Sequence, residues 1–369
     1  MFNIKNEKLL ISKENAQNEI WDLIFYYTNN KYLKSYGFTD KPIDHIQYLR
    51  DQSYEFFLSE KYISLKTSPL LKFYGCMNLV KSLILYKKIK KGIESLDQKH
   101  GLKFIIEKKD FLKNILNNCK IKIETSGTFI ELLELSHSNF IDTYKNQEIT
   151  LYQLINRYVD IYDFLDYKKH ILPIDSYKII ENPPKKDNSV TIGIDNNKKY
   201  TLEIELYGGD KQENFDEYKH NYPDHNLNNF TISTIRIQFF SDNGLFSGNN
   251  PNCLPIRFFF DNFTESHFID IHTNYEDQSY LITPINVNGH NLLFTQIEIQ
   301  YMISFMFSNL TRYYPDKWKK MIDNEIFWSV RKSLDYISRS FPNNILNEFI
   351  GKNCIIFTPG ILKRDFSNE

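Results

Sequence analysis

The sequence contains little cysteine and little arginine. Only 4 of the 369 residues are cysteine, they are widely separated, and no two form a Cys-x-x-Cys pair: Cys76, Cys119, Cys253 and Cys354. A disulfide scaffold and a cysteine-based zinc or redox site are therefore not predicted. Only 8 of the 45 basic residues are arginine. Because arginine contacts phosphates and bases through two hydrogen bonds at once, this scarcity argues against sequence-specific recognition of nucleic acid.

The chain also lacks a long uninterrupted apolar segment. The best candidate, residues 292–310, is interrupted by Gln296, Glu298 and Gln300, whereas a membrane-spanning helix needs about 18 or more apolar residues. The opening MFNIKNEKLLISKEN has no apolar core and no small-residue cleavage site, so we expect no secretory signal. We therefore expect a cytoplasmic protein with no membrane association.

The remaining composition is that of a globular protein, but its charge is unevenly distributed. Hydrophobic residues make up 41% of the chain and aromatic residues 15%, which excludes a largely disordered chain. The formal net charge is −1, yet residues 81–122 carry +8 and residues 201–225 carry −5. The basic segment either faces phosphate groups or is a solvated lysine-rich surface, which is the commoner outcome. Its candidate binding lysines are Lys81, Lys87, Lys88, Lys90 and Lys91.

Hydrophobic spacing predicts helices in the first part of the chain. Apolar residues recur with a period of 3.6 after Ser12, which we expect to cap the first helix, and after Pro42, which suits a first helical turn. A further helix is predicted from Ser68-Pro69 to residue 88. It is apolar on nearly all sides from Leu70 to Leu85, so we place it at the centre of a helical core. Gly75 inside it predicts that another helix crosses close by.

Short segments rich in β-branched and aromatic residues predict strands farther along the chain. They lie at residues 102–106, 121–124, 189–194, 200–207, 231–240, 256–260, 267–272 and 280–285. Thr150 is expected to cap a helix between them. From residue 291 a helical stripe returns, a further helix follows Pro315, and Phe341-Pro342 is expected to open the last one.

The predicted fold class is α+β, in which N- and C-terminal helices form one helical bundle with an inserted antiparallel β module. The predicted domains are an N-terminal helical domain at 1–180, the antiparallel β module at 181–290, and C-terminal helices at 291–369 that pack back on the N-terminal bundle. Because ligand sites concentrate where domains meet, we expect any pocket between the bundle and the β module.

Recognised catalytic motifs are absent from the sequence. There is no Walker loop, Gly-x-Gly-x-x-Gly, Gly-x-Ser-x-Gly or His-Glu-x-x-His. None of the eight arginines is followed five to seven positions later by the histidine that helical HEPN-type ribonucleases require. Asp97, Glu107 and Lys109 loosely match the two acids and lysine that hold Mg²⁺ and water in metal-dependent nucleases, although a lysine-rich segment produces this match by chance.

A second search for metal ligands considers the histidines of the predicted β module. The candidates are His220, His225, His267 and His272, with Asp216, Asp224 and Asp270. Strand alternation places His267 and His272 on opposite faces, so surface histidines are the favoured interpretation. We predict no cofactor, and a divalent metal only if the chain is a nuclease.

Three stretches together resemble a known family. They are SPLLKFYG (68–75) followed by KHGL (99–102), SGTF (126–129), and SFMFSNLTRYYPDKW (304–318). They are similar to the bacterial YaaC-like proteins, which have a Pro-Leu-Leu-x-Tyr-Tyr-Gly helix, a His-Gly-Leu element and a late Ser-x-Leu-x-Arg-Tyr-x-Pro-x-x-Trp helix. Phe73 stands where the first motif often has tyrosine. The resemblance implies a fold and no assigned reaction.

Four residues near these stretches are candidate binding residues. Arg312 follows an apolar helix, where we expect it to stabilise the helix end and to stack on Trp318. His100 is either an interface histidine or a general base. Lys81 would join His100 and Arg312 in a pocket.

Two functional hypotheses follow. The preferred one is a cytoplasmic YaaC-like protein that acts by binding a partner protein or nucleic acid through residues 81–122, without a reaction of its own. The alternative is a metal-dependent nuclease or other hydrolase effector, in anti-phage defence, with His100, Asp97, Glu107 and Lys109 as its catalytic candidates.

Overall fold

The computed structural model describes residues 8–12, 15–88, 93–106, 115–138, 140–165, 171–181, 200–206, 231–234, 254–260, 271–273, 279–323, 327–351 and 353–357. The chain divides into two units. The β unit comprises Met1–Ile4, Tyr167–Thr273 and Gln278–Pro284, and the helical unit comprises Lys5–Asp166, Asn274–Asp277 and Ile285–Glu369. The three domains expected from the sequence stay a prediction.

The described α-helices all belong to the helical unit. They are α1 (Ala16–Tyr27), α2 (Asn30–Ser35), α3 (Asp40–Glu60), α4 (Ser68–Lys87), α5 (Ile115–Asn118), α6 (Thr128–His137), α7 (Ile141–Tyr144), α8 (Leu151–Ile155), α9 (Gln296–Tyr313), α10 (Pro315–Ile322) and α11 (Phe327–Ile350). Two 3₁₀ helices, Ile93–Ser95 and Val159–Phe164, accompany them. Of the helices described, none combines the length and apolar character that a bilayer crossing requires.

The first helix begins later than the sequence predicts. Ser12, expected as its cap, ends strand β1 (Lys8–Ser12), because these residues pair in parallel with Asn353–Phe357 near the other end of the chain. Asn15 stands at the N-cap of α1 instead, and its side chain makes no capping hydrogen bond.

Helix α4 lies at the centre of the helical unit, as its all-round apolar character predicts. Leu79, Val80 and Ile84 are fully buried. The crossing predicted at Gly75 is with α3, since a Cβ atom at Gly75 would lie 2.9 Å from Cε2 of Phe57. The interior position of Gly75 is therefore explained by the approach of an aromatic ring from the neighbouring helix.

Helices from both ends of the chain pack against α4. The ring of Phe73 lies 5.6 Å from that of Tyr301 and 5.3 Å from that of Phe305, both on α9. The hydroxyl of Tyr86 donates to the carbonyl oxygen of Phe349 on α11, at 3.0 Å. The early and late helices therefore build one bundle, and the fold class is α+β.

Capping residues mark the starts of two helices correctly, whereas Pro342 does not mark a helix start. Thr150 caps α8 in a capping box with Gln153, as expected, and Thr295 caps α9 in the same way. The expectation that Phe341-Pro342 opens a helix is wrong, because α11 continues through both residues. Proline costs about 3 kcal/mol inside a helix, and here the buried residues on either side keep the helix continuous.

The helical unit also contains two small antiparallel sheets, in addition to the parallel pair formed by β1 and strand β13 (Asn353–Phe357). One has the order β2 (Leu102–Ile106), β3 (Cys119–Ile123) and β4 (Glu148–Thr150). The other is a hairpin of β11 (Ile285–Val287) and β12 (His290–Leu292). Its turn residues Asn288 and Gly289 both have positive φ, at 53° and 81°, which suits the two-residue hairpin turn that Asn-Gly favours.

The β unit contains a six-stranded antiparallel sheet. Its strands are β5 (Ile171–Glu181), β6 (Tyr200–Leu206), β7 (Thr231–Thr234), β8 (Leu254–Phe260), β9 (Ile271–Thr273) and β10 (Ser279–Ile282). Their order in the sheet is β7-β8-β6-β5-β10-β9. The strands predicted at 200–207, 231–240, 256–260, 267–272 and 280–285 overlap β6, β7, β8, β9 and β10, whereas β5 was not expected. The strand predicted at 189–194 lies outside the described residues.

Candidate functional site

A crossing of two backbone segments fixes the position of His100. The N–H of Phe129, in the first turn of α6, donates to the carbonyl of His100 at 3.0 Å, and the N–H of Thr128 donates to the carbonyl of Lys99 at 2.9 Å. Two stretches that resemble the family, KHGL and SGTF, are thus bonded directly to each other. The backbone of His100 is therefore fixed by a hydrogen bond, and its ring is fixed by packing against other side chains.

The imidazole ring of His100 packs between α4 and α9. Its centroid lies 5.3 Å from the ring of Phe73 and 6.0 Å from that of Phe305. Its Nδ1 is buried and has no hydrogen-bond partner among the described residues. Burial lowers the pKa of His100, and the positive charges of Lys81 and Arg312 lower it further.

Arg312 reaches back from the end of α9 to α4. Its Nη1 donates to the hydroxyl of Tyr74 at 3.2 Å, and its guanidinium lies 5.1 Å from the ring centre of Tyr313. The expected stack on Trp318 is not observed, because Trp318 is buried in the next helix. Its Nε1 donates to the carbonyl of Leu65 at 3.1 Å. Trp318 therefore stabilises the bundle, and Arg312 stays exposed.

Lys81 is the third cation near His100, and it is half-buried on α4. Burial lowers the pKa of its ammonium group, while the carboxylates of Glu131 and Asp97 act in the opposite direction. Lys81, His100 and Arg312, here called the basic cluster, all belong to the helical unit. Arg312 bonds to Tyr74, the neighbour of the Phe73 ring that packs against His100, and Lys81 lies about two turns farther along the same helix.

The other predicted binding lysines are in different situations. Lys87 pairs with Glu348 at 3.2 Å. Lys88 pairs with Glu131 at 3.1 Å and with Glu134 at 3.2 Å. These two ammonium groups are therefore partly neutralised by carboxylates of the bundle itself. Lys90 and Lys91 lie outside the described residues.

Three more lysines lie on the outer face of the three-stranded sheet. Lys103 of β2 stands directly opposite Lys122 of β3, and Lys120 is two residues away on the same face of β3. Their strand neighbours on the opposite face, such as Ile121, are buried. Lys103, Lys120 and Lys122, here called the basic sheet face, meet a single acidic strand partner, Glu148. Their signal in the sequence is the alternation of lysine with apolar residues.

The nuclease candidates are only partly described. The carboxylate of Asp97 accepts a hydrogen bond from the backbone N–H of Lys99 at 2.9 Å, and so shapes the loop before His100. Glu107 and Lys109 lie outside the described residues. Within the described ranges, no group of three potential metal-ligating side chains occurs. Of the histidine and aspartate candidates in the β unit, only the backbone of His272 is described.

A buried polar group that the sequence did not reveal lies on the other side of α4. The side chain of Lys72 is 2% exposed and forms an ion pair with Glu60 at the end of α3. Its ammonium also donates to the hydroxyl of Ser338 on α11, and this hydroxyl donates to Glu60 Oε2 at 3.0 Å. Burial lowers the pKa of Lys72, and Glu60 opposes that change.

The signal for this group was a charged residue inside an all-round apolar helix. A lysine is almost never fully buried unless it is paired, so Lys72 within the apolar stretch 70–76 already required an acidic partner. Nothing local in the sequence identifies that partner as Glu60.

The fold and these side chains define an α+β protein with a basic cluster, a basic sheet face and a buried lysine–glutamate pair in its helical unit. The model of the YaaC-like protein family matches residues 9–349, and the chain belongs to that family. Comparison with curated proteins found no match, and comparison with solved structures found none either.

Proposed function

We propose that this YaaC-like protein is a cytoplasmic binding protein that holds the phosphate backbone of nucleic acid on its basic sheet face. The observation that carries the proposal is the pair Lys103 and Lys122, which face each other across neighbouring strands. Like charges directly opposite one another destabilise a sheet. Glu148, opposite Lys122 on its other side, balances one of the three lysine charges of the face. Bound phosphates neutralise the remaining positive charge, and each phosphate contact also releases condensed counterions.

The chemistry of the face favours contact without sequence preference. Its cations are lysines, which act as point charges on phosphates, whereas base recognition relies more on arginine. The chain continues from His100 through Gly101 directly into β2, so the basic cluster lies close along the chain to this face. Arg312 lies toward the opposite face of the same strand and is not part of this face, since Phe104, which alternates with Lys103, lies 5.9 Å from Tyr314.

The test measures binding of single- and double-stranded oligonucleotides by fluorescence anisotropy over a range of salt concentrations. For the double variant Lys103→Gln/Lys122→Gln, we expect weaker binding and a salt slope reduced by about 2, since each lost phosphate contact removes a little under one unit. The matched control is Lys31→Gln/Lys66→Gln, which removes two exposed lysines elsewhere.

Two results would reject the proposal. One is the absence of oligonucleotide binding at low salt. The other is an equal effect of the two double variants, which would show attraction to overall charge rather than to this face. A third result would assign the face to a protein partner instead. In that case wild type retains a partner protein, the Lys103→Gln/Lys122→Gln variant loses it, and neither binds oligonucleotides.

A further inference from the structure

A polar cleft opens at the buried Lys72–Glu60 pair. Its volume is about 660 Å³, and its walls come from the start of α1, the end of α3, and α4 and α11. This volume falls within the range of small-molecule sites, roughly 300–1,000 Å³. Lys72, Glu60 and Ser338 all line the cleft, so the buried polar group borders open space.

The ammonium group of Lys72 has more hydrogen-bond donors than it has partners among the described residues. Lysine carries three N–H donors. Two are accounted for by Glu60 and Ser338, and the described residues offer no partner for the third. A desolvated ammonium forms a strong charge-assisted hydrogen bond with an anionic acceptor. The floor of the cleft therefore presents a fixed cationic donor.

The charges around this floor favour an anionic ligand. Glu60 is already engaged by Lys72 and by the hydroxyl of Ser338. The lining then holds three cationic side chains, Lys61, Lys72 and Arg339, against the two carboxylates of Glu60 and Asp335, and the charge of Asp335 also acts on Lys72. The start of α1 also lines the cleft, with no capping bond from Asn15, so its positive helix end adds to the same potential.

The lining also indicates what the rest of the ligand is like. The described lining residues contribute amides, carboxylates, cations and a hydroxyl, and no aromatic ring is among them. A flat base would find nothing to stack on, whereas hydroxyl groups would find both donors and acceptors. The arrangement suits a sugar phosphate or a hydroxylated carboxylic acid better than a nucleotide.

We propose that the cleft bordered by Lys72, Glu60, Ser338, Asp335 and Arg339 binds a small organic anion. The phosphate or carboxylate of the ligand accepts hydrogen bonds from the ammonium of Lys72 and the guanidinium of Arg339. Asp335 accepts from a hydroxyl group of the same ligand. This site is separate from the basic sheet face, and the inference does not depend on nucleic-acid binding.

Isothermal titration calorimetry with inorganic phosphate, ribose 5-phosphate and citrate tests the inference on the full chain. Arg339→Gln should raise the dissociation constant of the anion about tenfold, as expected for one lost charge-assisted hydrogen bond. Arg331→Gln, which removes an exposed arginine of the same helix outside the lining, should bind as wild type does. Tighter binding of inorganic phosphate to Asp335→Asn is also expected, because the variant removes a repulsive charge.

The role of Lys72 itself needs a variant that still folds. Lys72→Met/Glu60→Gln removes both members of the ion pair together and leaves no buried charge unpaired, and it should abolish binding while retaining the wild-type circular dichroism spectrum. Ribose 5-phosphate binding without citrate binding would identify a phosphate site, and the reverse a carboxylate site. Absence of heat with all three probes, or equal effects of Arg339→Gln and Arg331→Gln, would overturn the proposal.

Discussion

Gly127 and Gly101 cross so closely that a Cβ atom on Gly127 would lie 2.3 Å from the backbone nitrogen of Gly101. Both residues have positive φ, at 125° and 81°, which side chains other than glycine rarely adopt. The crossing brings the His-Gly-Leu element against the start of α6 and positions His100 beneath the two aromatic rings that hold it. The two glycines thus belong to the architecture of the basic cluster.

Gly127→Ala should therefore be strongly destabilising. The variant combines backbone strain with a clash against main-chain atoms that have no flexible side chain to move, and we expect a loss of about 3 kcal/mol or more in the free energy of unfolding. Gly289→Ala is the matched control, since φ is +81° there and no atom lies within 4 Å. It should lose only about 1–2 kcal/mol. Equal losses in urea denaturation would contradict the close crossing.

The contact between Gly75 and Phe57 supports a second prediction. Gly75→Ala places a methyl group 2.9 Å from Cε2 of Phe57, and this overpacking should cost about 1–3 kcal/mol despite the better helix propensity of alanine. Phe57→Leu makes room at the ring position. The double variant should therefore be more stable than the sum of the single effects predicts. Simple additivity in denaturant titrations would refute a direct clash.

Features that depend on near neighbours in the chain were predictable from the sequence. The cap at Thr150 needs only Gln153 three residues later. The central position of α4 follows from the apolar residues on nearly all sides of this helix. The interior glycine at 75 indicated a crossing, although not that Phe57 makes it. The basic sheet face follows from the alternation of Lys120 and Lys122 with buried residues.

Features that depend on packing between distant segments were not predictable. Lys72 and Ser338 are 266 positions apart, and only the packing of α11 against α4 brings them together. The expected Arg312–Trp318 stack failed for the same reason. The five residues between them span a break between two helices, after which Trp318 turns into the core, where its Nε1 donates to the distant carbonyl of Leu65. Whether the basic cluster binds a ligand stays a prediction.

His100 should make stability depend on pH in a particular direction. Its pKa lies below the ordinary value of 6.5 in the folded chain, so in mildly acidic solution the unfolded chain takes up a proton that the folded chain resists. This contribution is complete above about pH 6.5 and is lost as the pH falls through the folded value. His100→Gln should therefore lose less stability than wild type between about pH 7 and pH 5.

The measurement for His100 is urea denaturation at several pH values. His290→Gln is the control, because His290 is exposed in the β11–β12 hairpin, and it should follow the wild-type slope. Lysine or arginine variants near His100 provide a further check. Lys81→Met removes one of the two positive charges, so it should make the wild-type pH dependence shallower. Identical slopes for wild type and His100→Gln would show that protonation of this histidine is not coupled to folding.

Removing one member of the Lys72–Glu60 pair should lower the free energy of unfolding much more than replacing both members with uncharged residues. Lys72→Met leaves the carboxylate of Glu60, which is only 13% exposed, without its counterion, and we expect a loss of about 3–5 kcal/mol in the free energy of unfolding. Lys72→Met/Glu60→Gln removes both charges and should recover most of that loss, because the desolvation penalty of both ions disappears with their attraction. Lys88→Met is the comparison, since the side chain of Lys88 is 24% exposed against 2% for Lys72, and its less exposed partner Glu131 keeps a hydrogen bond from the backbone N–H of Asp97 at 2.7 Å. This variant should lose at most about 1 kcal/mol. If Lys72→Met costs no more than Lys88→Met, the ammonium of Lys72 is solvated in solution, and the cleft does not hold the fixed cation that an anionic ligand would require.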